Sequence, residues 1–138
     1  MLKLWKNQAR EGTSMTQLAP SLGATKSANN LLVMFIPSVD RHGIAINQDE
    51  WVENALNVLG DTFGGATAFP QAKGVWRDDE QGGALIFDEP VIINCYTAES
   101  LIEQHVEPLR QFLNTMGKET RQGAVGLVID QDYLEITF

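Results

Sequence analysis

The chain has 138 residues, 43% of them hydrophobic, a single cysteine and a formal net charge of −8. That length and apolar content suit one domain with a real core and exclude disorder as the default state. The lone Cys95 excludes an internal disulfide and any cysteine-cluster zinc site. The longest apolar run, over residues 31–37, is far shorter than the roughly 20 residues a membrane-spanning helix needs.

Residues 1–10 are charged and mixed where a secretory segment would be apolar, so a cytoplasmic protein with no membrane partner is expected. The charge is unevenly spread. Residues 1–30 hold Lys3, Lys6, Arg10 and Lys26 against Glu11, a balance of +3, which leaves −11 for residues 31–138. An acidic body repels phosphate backbones, so no nucleic-acid partner is expected. The basic segment could instead lie on an acidic body, its own or a neighbour's, although a merely solvated surface has the same composition.

In chain order, residues 1–30 are rich in Thr, Ser, Ala, Asn and Gln and read as an N-terminal arm. One helical turn near Leu2 to Trp5 is expected, with Trp5 and Leu18 as the arm's anchors. Residues 31–138 form the single α+β domain. The apolar run Leu31-Leu32-Val33-Met34-Phe35-Ile36, ended by Pro37, has the pattern of a central strand covered on both faces. Residues 38–46 follow as a loop. Asn47 and Glu50 then make a capping box, and Val52, Ala55, Leu56, Leu59 and Phe63 recur at helical spacing until Gly64-Gly65.

Residues 66–78 suggest an irregular or edge strand, because Pro70 and Gly74 interrupt it. A polar turn at 78–83 leads to a long strand over 84–96, kinked at Asp88-Glu89-Pro90. The second helix begins at Thr97, with Leu101, Ile102, Val106, Leu109, Leu113 and Met116 on its apolar face. Pro108 should kink or restart it. Strands over 124–129 and 133–138 close the chain, the last one as a possible hairpin.

This order is the β-α-β-β-α-β of a ferredoxin-like fold, an antiparallel sheet with two helices on one face. Leu127 and Ile129 would face one way and Leu134, Ile136 and Phe138 the other. An open apolar sheet face would then need a cover, so a homodimer with packed sheets is expected.

Two loops concentrate chemistry. Asp40-Arg41-His42 precedes a helix N-terminus, a place that favours anions, and His42 can carry a proton near neutral pH. In Trp76-Arg77-Asp78-Asp79-Glu80 an aromatic, a guanidinium and three carboxylates meet in one hairpin suited to a cation or polar ligand. His42, Arg41, Trp76, Arg77 and Asp78 are therefore the ligand-binding candidates. A solvated turn and an ordinary polar hairpin end are the plainer readings of both.

Asp88-Glu89 and Asp130-Gln131-Asp132 with Glu135 follow no ligand-spaced pattern, so no metal site and no cofactor are expected. Cys95 falls in an apolar strand, and His105 lies on or beside a helix's apolar face. That placement suits packing better than a nucleophile and its base.

The stretch Gly64-Gly65-Ala66-Thr67-Ala68-Phe69-Pro70, followed by Gly74-Val75-Trp76-Arg77-Asp78-Asp79, Gly83 and Asp88-Glu89-Pro90, resembles uncharacterised bacterial proteins. In those a ferredoxin-like domain carries a Gly-x-Trp-Arg-Asp hairpin before a carboxylate-bearing strand, and some look like mobile-gene-cassette products. The resemblance covers residues 31–138 and implies a fold, with no activity attached. The expected function is a non-enzymatic homo-oligomeric module binding a small ligand or a protein partner. The alternative is a small cofactor-free enzyme of the dimeric α+β barrel type, with its pocket between sheet and helices.

Overall fold

The computed structural model of the chain describes residues 18–138. The helical turn expected near Leu2 to Trp5 lies outside the described residues. Leu18, the other expected anchor, is 42% exposed and fixes nothing by burial.

The domain is α+β and ferredoxin-like. Strand β1 (Asn30–Ile36) leads into helix α1 (Gln48–Phe63) and the short β2 (Thr67–Phe69). A hairpin of β3 (Gly74–Asp78) and β4 (Ala84–Asp88) follows, then β5 (Val91–Thr97). Helices α2 (Glu99–Gln104) and α3 (Val106–Glu119) lead to β6 (Ala124–Ile129) and β7 (Asp132–Thr137). The main sheet has the order β2-β5-β1-β6-β7, and every pairing in it is antiparallel. Without β7 this is the split β-α-β arrangement. The β3–β4 hairpin is inserted between its second and third strands as a separate two-stranded sheet.

The insertion explains where the expected strands divide. Neither 66–78 nor 84–96 is one strand. Proline cannot donate to a ladder, and Pro70 and Pro90 fall where each segment leaves the main sheet for the hairpin. The amide of Ala72 reaches the carbonyl of Pro90 at 2.8 Å and ties the two crossings together.

Helix α1 begins and ends as its sequence dictates. The Asn47 side chain accepts from the Glu50 amide and donates to the Glu50 carboxylate, and Gly64 takes the left-handed C-cap with φ 95°. The second helical segment breaks at His105, upstream of Pro108. Pro108 is the third residue of α3, in the first turn, where no intrahelical amide bond is lost. Val106 is 49% exposed, so it leaves the apolar face expected of it.

The core lies between the helices and one sheet face. Leu32, Met34, Ile36, Leu59, Ile93, Cys95 and Met116 are fully buried there. On β1, Leu31, Val33 and Phe35 point the other way and are only half-buried, so the strand is central but not covered equally on both faces.

A further correction concerns the last two strands. Leu127 pairs with Leu134 and Val125 with Ile136. Directly opposed residues share a face, so Leu127, Leu134 and Ile136 all point toward the helices. Tyr133, Glu135 and Thr137 take the open face. Phe138 packs on Gly117 of α3, where a β-carbon would collide with its ring.

Candidate functional site

The loop after β1 is built around a buried carboxylate. One oxygen of Asp40 accepts from the amides of His42 at 2.8 Å and Ile44 at 3.0 Å, and Arg121 approaches the other at 3.2 Å. The Ile44 amide outweighs the cost of burial and, with the His42 amide and the Arg121 charge, holds the acid below the usual carboxylate range. Asp40 thus shapes the loop and turns Arg41 toward the hairpin. The Arg41 amide donates to the carbonyl of Arg121 at 3.1 Å, which closes the loop against the segment before β6.

The guanidinium of Arg41 meets the inserted hairpin at two carboxylates, Asp78 and Glu80, each at 3.2 Å. Asp78 is 4% exposed. It caps the 3-10 turn Asp79–Gln81 by accepting from the Glu80 amide, and it accepts from the Gln81 side chain at 2.6 Å. Burial pushes its carboxyl upward, but the bonds from Gln81, Arg41 and the Glu80 amide carry it below the ordinary value. Asp78 therefore stays ionised and works as the joint between hairpin and loop. At the other end of the hairpin, Asp88 accepts from the amide and hydroxyl of Ser38.

Held at both ends, the hairpin stands over the open face of the sheet and leaves a cleft of about 610 Å³. The Trp76 indole lines one wall, and Phe35, Gly126, Tyr133 and Glu135 lie along the sheet side. The floor depends on a missing side chain. A β-carbon on Gly126 would stand 2.5 Å from the Tyr133 hydroxyl, so glycine lets the phenol lie across β6. At Gly123 nearby a β-carbon would meet Trp76 at 3.5 Å and Arg41 at 3.8 Å, ordinary van der Waals contact, so only Gly126 requires the missing side chain. Burial, with the charge of Glu135, pushes the Tyr133 phenol up. Tyr133 is therefore a protonated donor beside a carboxylate acceptor. Among the described residues Glu135 makes no hydrogen bond or ion pair, and it is the cleft carboxylate most available to a ligand.

Of the residues expected from sequence, Arg41, Trp76 and Asp78 come together here. Arg77 lines the cleft as well, with its exposed guanidinium paired to Asp79 at 2.6 Å. His42 is exposed and does not line the cleft, and it contributes its backbone amide to Asp40. Gln122 and Tyr133 were not expected, and Glu135 was weighed only among the carboxylates set aside as metal ligands. The signal for Tyr133 and Glu135 is the parity of β7, in which they and Thr137 alternate with the apolar Leu134 and Ile136.

A second concavity, about 640 Å³, runs between the outer faces of α1 and α3. Trp51 and Phe112 meet edge-to-face there at 6.2 Å. Cys95 is buried in the core and its thiol is pushed up by desolvation, while His105 packs edge-on to Phe63 at 6.1 Å. Among the described residues no group of three or more His, Cys, Asp or Glu side chains could hold a metal ion, and no helix is long and apolar enough to cross a membrane.

No protein-family model and no curated protein matches the sequence. Solved structures do. The chain is similar to a phage SAM lyase in complex with S-methyl-5'-thioadenosine, at 14% identity and a TM-score of 0.64 over 83% of this chain and 95% of that one. The apo state of a phage SAM lyase matches at 14% identity and a TM-score of 0.59, covering 83% and 93%. The divalent ion tolerance protein CutA1 from Ehrlichia chaffeensis is 11% identical with a TM-score of 0.46, over 78% of this chain and 84% of that one. At these identities the likeness is one of fold.

Proposed function

We propose that the domain binds a small organic ligand in the cleft between the β3–β4 hairpin and the open sheet face. The observation that carries this reading is that Trp76 of the hairpin and Tyr133 of the sheet line one concavity together with the uncommitted carboxylate of Glu135. Aromatic faces stack on planar rings and attract cations. A carboxylate beside a protonated phenol accepts and donates within one ligand's reach. The preferred ligand is accordingly a planar heterocycle with a hydroxyl or a positive charge. S-methyl-5'-thioadenosine, which the similar phage lyase binds, has the purine and hydroxyls of such a ligand, and S-adenosylmethionine adds a sulfonium cation.

The test is a calorimetric titration of the full chain with both compounds. Binding is expected, and Trp76→Ala should weaken it at least about fivefold, since base–aromatic stacking is worth about 1–3 kcal/mol. No heat with either compound, or equal affinity in the Trp76→Ala variant, would remove the cleft as the site.

A second reading keeps the cofactor-free enzyme alive. Tyr133 and Glu135 stand side by side on the cleft floor, where a phenol could give and a carboxylate could take a proton. Conversion of S-adenosylmethionine that survives in Trp76→Phe and is lost in Glu135→Gln would favour it over the non-enzymatic module. Self-association belongs to either reading. Val75, Leu85 and Phe87 on the hairpin's outer side and Phe69 and Tyr96 on the open sheet face are exposed apolar area that a second copy would cover.

A further inference from the structure

Gln122 lines the cleft with a side chain whose orientation is fixed by the protein itself. Helix α3 ends in a tight turn just upstream. Arg121 takes the left-handed conformation with φ 53°, and the Gln122 amide donates to the carbonyl of Gly117 at 2.9 Å. The Arg121 carbonyl accepts from the Arg41 amide, which ties the same segment to the loop after β1. The backbone at Gln122 is therefore anchored from two sides.

The side chain is then held by its donors. Nε2 donates to the carbonyl of Val39 at 2.8 Å and to that of Thr120 at 3.2 Å. A primary amide has two N–H donors, and both are used. Turning the amide over would set Oε1 against two carbonyl oxygens, so its orientation is determined. Oε1 itself makes no hydrogen bond among the described residues, and it is not an enclosed atom. It can only accept. The Trp76 indole borders the same end of the cleft, 3.5 Å from the place a β-carbon on Gly123 would take. A planar ring stacked on that indole lies parallel to it and turns the same edge toward residues 122 and 123.

We propose that Gln122 is a specificity-determining residue, whose Oε1 accepts from an exocyclic amine on the ring bound in the cleft. Aminopurines are then preferred to purines without the amine. The inference rests on the small-ligand reading of the cleft and adds the group that reads the ring's edge. Glu135 and the Tyr133 phenol are left for the ligand's hydroxyl or cationic part.

The test is calorimetric titration of the full chain with S-methyl-5'-thioadenosine and with its analogue bearing hydrogen in place of the 6-amino group. The amino compound should bind about two- to tenfold tighter, the net worth of one hydrogen bond. In Gln122→Met, similar in length and without the amide, the two compounds should bind equally. Both are compared in one variant, so a general loosening of the segment cancels. Equal affinity in the parent chain overturns the inference and leaves the ligand reading standing. A preference undiminished in Gln122→Met also overturns it, because the amine is then read by another group. No binding of either compound brings down both readings together. Should Gln122→Met fail to fold, the side-chain amide resonances of Gln122 in the parent chain carry the test. They should move with the amino compound and stay in place with the analogue, and equal movement with both counts against the inference.

Discussion

At the residue scale, carboxylates do different work according to their partners. Asp130 turns the chain between β6 and β7 with φ 56°, a conformation aspartate and asparagine tolerate better than most residues. Its side chain accepts from the Leu31 amide at 2.9 Å and from Asn30 at 2.7 Å, across 100 residues of sequence. The Leu31 amide, then Asn30, holds its carboxyl below the ordinary value. A carboxyl depressed in the folded state stabilises the fold fully above its unfolded value near 3.9 and loses that contribution as pH falls through the lower folded value. Asp130→Asn keeps the turn and removes the charge. It should melt below the parent at pH 7, and the gap should close as the pH drops below about 4, as followed by thermal unfolding across pH. A gap that stays constant would mean the ionised form is not what stabilises the turn.

Gly126 belongs to the same scale with the opposite consequence. Its missing side chain makes room for the Tyr133 ring, and that ring is largely exposed and can swing away. Gly126→Ala should therefore change stability by less than about 1 kcal/mol. It should also displace the phenol and weaken ligand binding in the cleft. Denaturant unfolding beside a binding titration checks both halves. A large loss of stability would mean Tyr133 is structurally fixed.

At the element scale, the inserted hairpin makes the difference between a plain split β-α-β sheet and one with a walled cleft. It is held through polar contacts at its two ends, Arg41 with Asp78 and Ser38 with Asp88, and its outer apolar residues remain exposed. Helix α1 sits behind the sheet and supports the same region. The Gln48 side chain donates to the carbonyls of Ile36 and Glu89, both at 3.0 Å, where β1 ends and β5 is about to begin. Sequence alone identifies α1 almost residue by residue, because cap, period and C-terminal glycines all lie between Asn47 and Gly65. The strands over 66–78 and 84–96 were legible as extended chain but not as members of two sheets. Local pattern says that a residue is in a strand and not which strand it will meet.

At the scale of the whole molecule, charge and apolar area point outward together. A net −8 keeps copies apart at long range, while Val75, Leu85, Phe87, Phe69 and Tyr96 offer area for a close contact. Light scattering with size exclusion should show a homo-oligomer, the homodimer being the simplest closed form. Leu85→Glu with Phe87→Glu should shift it to monomer without unfolding, since both side chains are exposed. A monomer in the parent protein, at concentrations where the fold is intact, would assign the hairpin's outer face to another partner.

What the sequence by itself determined were the local quantities: the α+β order, the caps of α1, the apolar identity of β1 and the polar chemistry of the two loops. These depend on residues within a few positions of one another. Only the tertiary structure decided which loops converge. Arg41 meets Asp78 across 37 positions, and Tyr133 reaches the cleft because β6 and β7 pair in a register that turns it to the open face. A one-residue shift in that register would have sent it into the core. Convergence of that kind is a property of strand order and face, which many sequences with the same local pattern could satisfy differently.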